Sequence, residues 1–377
     1  MFFEPNNSCV WLIMYNLQLP DWPNFNYEEQ ALPPKFVLKT GELTGAIASF
    51  TEKDKATKAI DQMVTEAIKT SEIEGEFLSR EDVMSSIKKN LGIHEEQPKQ
   101  VKDLRAKGIA YLMVAVHKSF AQSLSASMLF DWHKQLMQGS KGIKAGKWRS
   151  HTSAMQVISG AVGRETVHFE APPSDLVSQE MKQFVAWFND TAPNKLNTIG
   201  NPITRAAIAH LYFLSIHPFE DGNGRIGRAI AEKALFQGLG TPILMSLSAS
   251  IEMNKNEYYV ALKKAQVTLN IEKWIAYFQK TVLKAQDIAL DSILSSLKKT
   301  HFFDTHKGNL NKRQVKVINK MFDLLPQEFE GGMTAKKYMS ITKTSKATAT
   351  RDLQDLVEMG IFSVAGGGRS VSYRLIL

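Results

Sequence analysis

Between His217 and Arg228 the chain reads His-Pro-Phe-Glu-Asp-Gly-Asn-Gly-Arg-Ile-Gly-Arg, a spacing that gathers the groups needed to handle phosphate. An apolar helix spanning about 203–216 should end at His217-Pro218, because proline disfavours helical geometry in the residue before it. Gly222-Asn-Gly224 then turns the chain into a new helix near Arg225. Successive backbone N–H groups of such a turn at a helix start form an anion site. Arg225 and Arg228 share one face of the first turn, where the helix dipole opposes cations by roughly 0.3–1 kcal/mol each. A polyanion offsets that conflict, and guanidinium groups bind phosphate through paired hydrogen bonds. Asp221 can hold Mg²⁺ bridging phosphates. His217, whose ordinary pKa lies near neutrality, can act as general base. Pro218 and Phe219 fix the loop, with Phe219 directed into the core.

Each part alone has an ordinary structural meaning: His-Pro stops helices, Asn-Gly makes turns, and arginine pairs often line a solvated face. Their occurrence together within one loop and helix start is what points to a ligand.

The elements around the loop are mostly helical. Residues 57–73 put Ile60, Met63, Val64, Ala67, Ile68 and Ile73 near one face and stop at Gly75. Further helical patterns cover 80–91, 99–120, 125–137, 176–189, 202–215, 225–237, 255–269 and 272–297. The segment 155–172 changes character, with two short apolar stretches around glycines and then Pro172-Pro173, which predicts a β-hairpin. Near the start, Trp22, Phe25 and Tyr27 alternate with Pro20 and Pro23, which suits an extended segment anchored by its rings. After residue 300, patterns at 311–324, 334–339 and 345–359 predict three helices. Ile361–Val364 and Ser370–Leu375 then flank Gly366-Gly-Gly368 as a two-stranded wing.

The chain has 377 residues, enough for two or three domains, and its 44% hydrophobic content is that of a globular protein. One cysteine, Cys9, excludes an internal disulfide and a cysteine-based zinc site and suits a reducing compartment. The apolar run Val10–Met14 is too short for a signal peptide or a membrane span, so a cytoplasmic location without membrane contact is expected. No GxxxxGK[ST] phosphate loop is present. His133, His151, His168 and His210 have no metal-ligand spacing. Net charge is +8, and residues 301–377 carry twelve Lys/Arg against seven Asp/Glu. That basic excess hints at nucleic acid.

HPFEDGNGRIGR resembles the signature of Fic-domain proteins at every specified position. The resemblance implies a mainly α fold, with a Fic-type helical core, a small β-hairpin flap and a C-terminal winged-helix domain. It implies an N-terminal domain over 1–100, a core over 101–300 and a winged helix over 301–377. The implied activity is adenylylation, in which a target hydroxyl attacks the α-phosphate of ATP and pyrophosphate leaves. His217 is then the base, Asp221 holds the metal, and Gly222, Asn223 and Gly224 cradle phosphate. Arg225 and Arg228 grip phosphates, and Phe219 belongs to the nucleotide site. ATP and Mg²⁺ are implied, as is docking of a target protein on the flap by strand addition. Self-modification is implied as well, and a homodimer is compatible with the resemblance. Gly146-Lys-Trp-Arg149 is similar to the family's element preceding the flap.

Thr70-Ser-Glu-Ile-Glu-Gly75 resembles the inhibitory motif of the same family, with Glu74 as the blocking residue. The charges agree with this. Glu74 ends a helix, where the dipole disfavours an anion, and the arginines begin one, where it disfavours cations. A Glu74–Arg228 pair would relieve both. Glu74 can also place a water that removes AMP, as in some relatives. Other relatives transfer UMP, phosphocholine or phosphate, but the retained Gly224 and both arginines favour adenylylation. A rival reading makes the chain a winged-helix DNA-binding regulator, its core moving another phosphate-containing group or serving only regulation. Lys343, Lys346 and Arg351 can reach phosphates or bases. Against that, the same helix carries Asp352, Asp355 and Glu358, and a dimerisation or docking module stays open.

Overall fold

The computed structural model describes residues 14–93, 100–151, 156–159, 166–323, 331–367 and 370–376. It is mainly helical, with two small antiparallel hairpins. The helices are α1 (Pro34–Ala48), α2 (Glu52–Ile73), α3 (Arg80–Leu91), α4 (Leu104–Ser119), α5 (Ala126–Leu136), α6 (Val177–Asp190) and α7 (Pro202–Ile216). They continue as α8 (Asn223–Leu239), α9 (Leu247–Glu252), α10 (Lys255–Ala265), α11 (Glu272–Thr305), α12 (Lys312–Phe322), α13 (Ala335–Thr342) and α14 (Lys346–Glu358). The strands are β1 (Gln156–Ser159), β2 (Thr166–Glu170), β3 (Phe362–Ala365) and β4 (Ser372–Leu375).

The chain forms two units, one of residues 1–40 and 50–286 and the other of 41–49 and 287–377. That grouping differs from a tripartite division at residues 100 and 300. The N-terminal segment packs on the central helices. Trp22 and Phe25 meet Tyr212 of α7 edge-on at 5.0 and 5.9 Å, and the Trp22 indole donates to Glu180 Oε2 at 2.9 Å. Asn26 bridges to the segment before α11, donating to the Leu269 carbonyl while Ile271 N–H donates to its own.

In the first unit α7 and α8 pack against each other as its central pair. Every residue of α7 is buried, which is why its sequence is apolar on all sides rather than amphipathic. Asn201 caps α7 by accepting from the N–H groups of Ile203 and Thr204, and Pro202 suits the first helical position. Helix α2 packs on α9, α3, α4 and α8, burying the apolar stripe that includes Ile60, Met63, Val64 and Ala67. It begins at Glu52, five residues ahead of the apolar periodicity, because Thr51 caps it and Glu52 and Asp54 favour its first turn. Hairpin β1–β2 pairs Gln156 with Glu170 and Ser159 with Thr166. Its expected glycine turn, 160–163, lies outside the described residues.

The second unit has its own core, where Val317, Ile318 and Met321 of α12 meet Tyr338 of α13 and Leu353 and Leu356 of α14. The order is three helices and then hairpin β3–β4, with Met333 joined to Tyr373 of β4 by a single β-bridge. Among the described residues no helix is long and apolar enough to cross a membrane.

Candidate active site

The site lies where α7 ends and α8 begins. His217 closes α7 in a left-handed conformation, φ 51°, which turns the chain sharply out of the helix axis. A non-glycine residue held there costs on the order of 1 kcal/mol, so surrounding contacts must fix it. Arg149 supplies them. Its Nε donates to the His217 carbonyl at 2.8 Å, its Nη2 to the carbonyls of Pro172 and Ile216, and its backbone N–H to Pro218 O at 2.9 Å. Arg149 is buried, and burial pushes its pKa down to about 10, still far above neutrality.

The loop that follows is stitched from within. Asn223 accepts from Phe219 N–H at 3.0 Å and donates to Phe219 O at 2.9 Å. Its amide therefore holds the loop's shape. Phe219 is fully buried and stacks on His133 at 3.9 Å, in the core beneath the loop, where its place after Pro218 directed it. Gly222 is the N-cap of α8 with φ 76°, and it offers no side chain to the first N–H groups. A side chain there would crowd Met137 and Leu136. These N–H groups face the position where an anion would sit.

Both arginines are buried and both are engaged by the C-terminal end of α2 and the residues just beyond it. Arg228 Nε donates to Thr70 Oγ1 at 2.7 Å, and its Nη2 donates to Thr70 O and to Glu74 Oε1 at 2.9 and 2.7 Å. Arg225 Nη1 donates to Glu76 Oε2 at 2.7 Å. Between the two glutamates Gly75 takes φ 82°, which lets the chain reverse after α2. Arg228 Nη1 and Arg225 Nε are buried without a hydrogen-bond partner, so each guanidinium keeps a donor available. The Glu74 carboxylate also lies over Gly224, close enough that a Cβ on that glycine would collide with it. The carboxylate thus stands against the backbone turn as well as the arginine. Burial alone would raise the Glu74 pKa, but the charge and hydrogen bond of Arg228 outweigh it and hold the carboxyl below its ordinary value.

His217, Glu74 and Gly224 share a cavity of about 800 Å³ with Lys255, Asn256 and Tyr259. Lys255 Nζ lies 5.8 Å from the Tyr259 ring centroid, and Tyr259 OH donates to Ile73 O at 3.3 Å. Phe169, at the end of β2, sits 6.3 Å from the His217 ring and brings the hairpin beside it. Burial, reinforced by the charge of Arg149, lowers the His217 pKa to about 4, so the imidazole is neutral at pH 7. Asp221 is largely exposed, its Oδ1 accepting from Gly222 N–H at 2.6 Å and lying 3.7 Å from Arg225 Nη2. Mg²⁺ held by one carboxylate, phosphates and water fits that single exposed acid. No cluster of three His, Cys, Asp or Glu suited to a metal occurs among the described residues.

The structure therefore brings together His217, Gly222, Gly224, Arg225, Arg228 and Glu74, with Asp221 at their edge. Thr70, Glu76, Arg149 and the cavity residues Lys255, Asn256 and Tyr259 had no signal of their own in the sequence. Of these, Thr70 and Arg149 lay inside stretches already marked by resemblance. His210, buried, bonds Tyr258 OH at 2.9 Å and stays part of the core.

A model of the Fic/DOC family matches residues 123–235, and a domain of unknown function, DUF4172, matches 15–93. Protein adenylyltransferase fic-1 of Caenorhabditis briggsae is 24% identical over 200 residues, covering 52% of this chain and 34% of that protein. Protein adenylyltransferase Fic of Drosophila mojavensis is 26% identical over 185 residues, covering 48% and 33%. The match thus spans about a third of the length of these relatives. In fold, the chain is similar to a Fic family protein from Desulfovibrio desulfuricans G20, with TM-score 0.50, 17% identity and 93% of this chain and 98% of that one covered. A Fic domain containing signaling protein from Bacteroides thetaiotaomicron gives TM-score 0.51 and 18% identity over 69% of this chain and 96% of that one.

Proposed function

From the match of residues 123–235 to a model of the Fic/DOC family, we propose that the chain transfers AMP from ATP to a hydroxyl of a protein, and that Glu74 restrains the reaction. One observation carries this reading: a neutral imidazole, a glycine at a helix start and the carboxylate that holds the buried Arg228 all line one nucleotide-sized cavity. The nucleoside would enter the cavity beside Asn256 and Tyr259. Its phosphates would run along the N–H groups of Gly222–Gly224 toward Arg225 and Arg228, with Asp221 and Mg²⁺ at the flank.

In the reaction, a hydroxyl of the target loses its proton to His217 as its oxygen bonds to the α-phosphorus. The bond from that phosphorus to the pyrophosphate oxygen breaks, and pyrophosphate departs with the electron pair. A base with a pKa near 4 is weak, and the approach of a triphosphate's negative charge would raise it toward a useful value. Mg²⁺, when bound, would neutralise phosphate charge. Arg149 keeps the His217 turn rigid, so the imidazole needs no reorganisation. The β1–β2 hairpin is the natural dock for an extended target segment, since strand addition would lead it past Phe169 to His217.

Glu74 holds Arg228 and Glu76 holds Arg225, the two arginines that the phosphates would use. While both pairs stand, Arg228 and Arg225 are less available to phosphates, and the carboxylate over Gly224 repels them. The second unit we read as a winged helix, from its helix and hairpin order.

The test uses ATP labelled at the α- or the γ-phosphate with wild type, Glu74→Gly and His217→Ala. Protein labelled only from the α position, most strongly in Glu74→Gly and absent in His217→Ala, is the expected result. Label from the γ position would assign phosphate transfer instead, and equal labelling of the variants would refute both residue roles.

A further inference from the structure

Hairpin β3–β4 and the pair α13–α14 form a surface in the second unit that adenylyl transfer leaves unused. Three residues connect α13 to α14: Lys343, which takes φ 56°, Thr344, and Ser345, which caps α14 through the Thr348 N–H. This is a helix-turn-helix junction. Ala349, Leu353 and Leu356 anchor α14 in the core, so its opposite face is presented to solvent.

The composition of that face changes along the helix. Its first half and the turn before it expose Lys343, Lys346, Ala347 and Arg351, and the partly buried Thr348 and Thr350 flank them. The one acid of that half, Asp352, is turned inside. It accepts from Arg313 Nε and Nη2 at 2.7 and 2.9 Å, from Tyr338 OH at 2.8 Å and from Asn311 at 3.0 Å. Those hydrogen bonds, that of Arg313 foremost, hold it below the usual carboxylate range. Asp355 and Glu358 fall in the second half. The apparent mixture of signs in the sequence is therefore segregated in space, with cations and short side chains first and acids last.

We propose that this face of α14 docks double-stranded DNA, with Lys346 and Arg351 meeting phosphates or base edges. Charge complementarity supports it, and so does shape. Helices of this kind enter the major groove by their first half, where Ala347, Thr348 and Thr350 are short enough for close approach. Acids in the second half would then lie away from the groove. A protein partner would call for an apolar centre, which this half-face does not present.

Fluorescence anisotropy of the full chain with a labelled duplex of about three helical turns tests the idea. It needs no ATP, so its outcome is independent of the transfer reaction. Wild type should bind at low salt, with log affinity falling linearly against log salt. The double variant Lys346→Ala/Arg351→Ala should bind at least about tenfold more weakly and lose about 2 from the salt slope. Lys320→Ala, which removes an exposed cation from α12, should leave binding nearly unchanged. Circular dichroism should give the double variant a wild-type melting curve, since both side chains are exposed. Absence of wild-type binding at low salt, unaltered binding by the double variant, or tighter binding to single strands than to the duplex would each overturn the proposal.

Discussion

Two helices of this protein, α8 and α14, bear cations near their starts, and the folds around them treat those cations in opposite ways. At α8 the arginines are buried, and each is matched to a carboxylate from the Glu74–Glu76 segment. At α14 the cations stay in water, and the nearby acid, Asp352, is drawn into the core by Arg313 and Tyr338. The difference lies in what an anionic ligand must displace. At α8 it competes with carboxylates that already occupy its place, so binding is coupled to movement of the residues that carry them. At α14 no carboxylate among the described residues is paired with Lys346 or Arg351, so an anion would displace counterions and its binding should be sensitive to salt.

The largest expected effect strikes the α8 site alone. His217→Ala should lower AMP transfer by about 10²–10⁴-fold, the usual worth of a general base. Bound ATP, followed by calorimetry, should persist. Loss of nucleotide binding instead would make His217 a structural residue.

Glu74→Gly should raise transfer by about tenfold to a hundredfold, the size of a shift from a mostly closed population. The same variant should lower thermal stability without ligand, since removing one member of a buried pair strands Arg228. ATP should then restore it by about 2.7 kcal/mol at a hundred times its Kd, more than it gives wild type. A variant as stable as wild type and indifferent to ATP would remove the competition on which the comparison rests.

Glu76→Gln should produce a smaller gain, since Arg225 also has Asp221 3.7 Å away. Combined with Glu74→Gly, it should exceed either change alone. An unchanged double variant would confine the lock to Glu74.

The smallest effect expected is that of pH. The depressed His217 pKa, about 4, keeps the imidazole neutral down to mildly acidic pH. The acid limb of kcat/KM for Glu74→Gly should therefore fall near pH 4 rather than 6.5, because removing Glu74 takes away a charge that raised the imidazole's pKa. The Glu74–Arg228 pair behaves in the same direction. Its carboxyl lies below the ordinary value, so its contribution is complete at neutral pH and is lost only as pH falls below the usual carboxylate range. An acid limb near 6.5 would show that the imidazole is better solvated than its surroundings allow.

Much of the α8 site was readable in the residues because its logic is local. A helix stop, a glycine turn and two cations against a dipole are neighbours in the chain, and Glu74 carried the complementary mismatch at a helix end. The general fold was readable for the same reason, since each helix has its own period and caps. Contacts made across the chain were not readable. Arg149 reaches the His217 turn from 68 residues away and Glu76 reaches Arg225 from 149 away, and nothing in their own surroundings announces it. The burial of Phe219 was legible from its place after Pro218, but the hydrogen bonds by which Asn223 ties it into the loop's frame were not. At α14 the sequence pointed the wrong way, since Asp352 reads as a surface acid until Arg313 and Tyr338 are seen around it.

A nucleotide's phosphates contend with Glu74 for Arg228 and with Glu76 for Arg225. Intact mass spectrometry of Glu74→Gly, Glu74→Gly/His217→Ala and wild type after incubation with ATP, Mg²⁺ and a mixture of cellular proteins tests it most directly. Adducts of one AMP are expected in the first sample, none in the second and few in the third. Equal AMP addition in wild type and Glu74→Gly, or adducts that survive loss of His217, would contradict it.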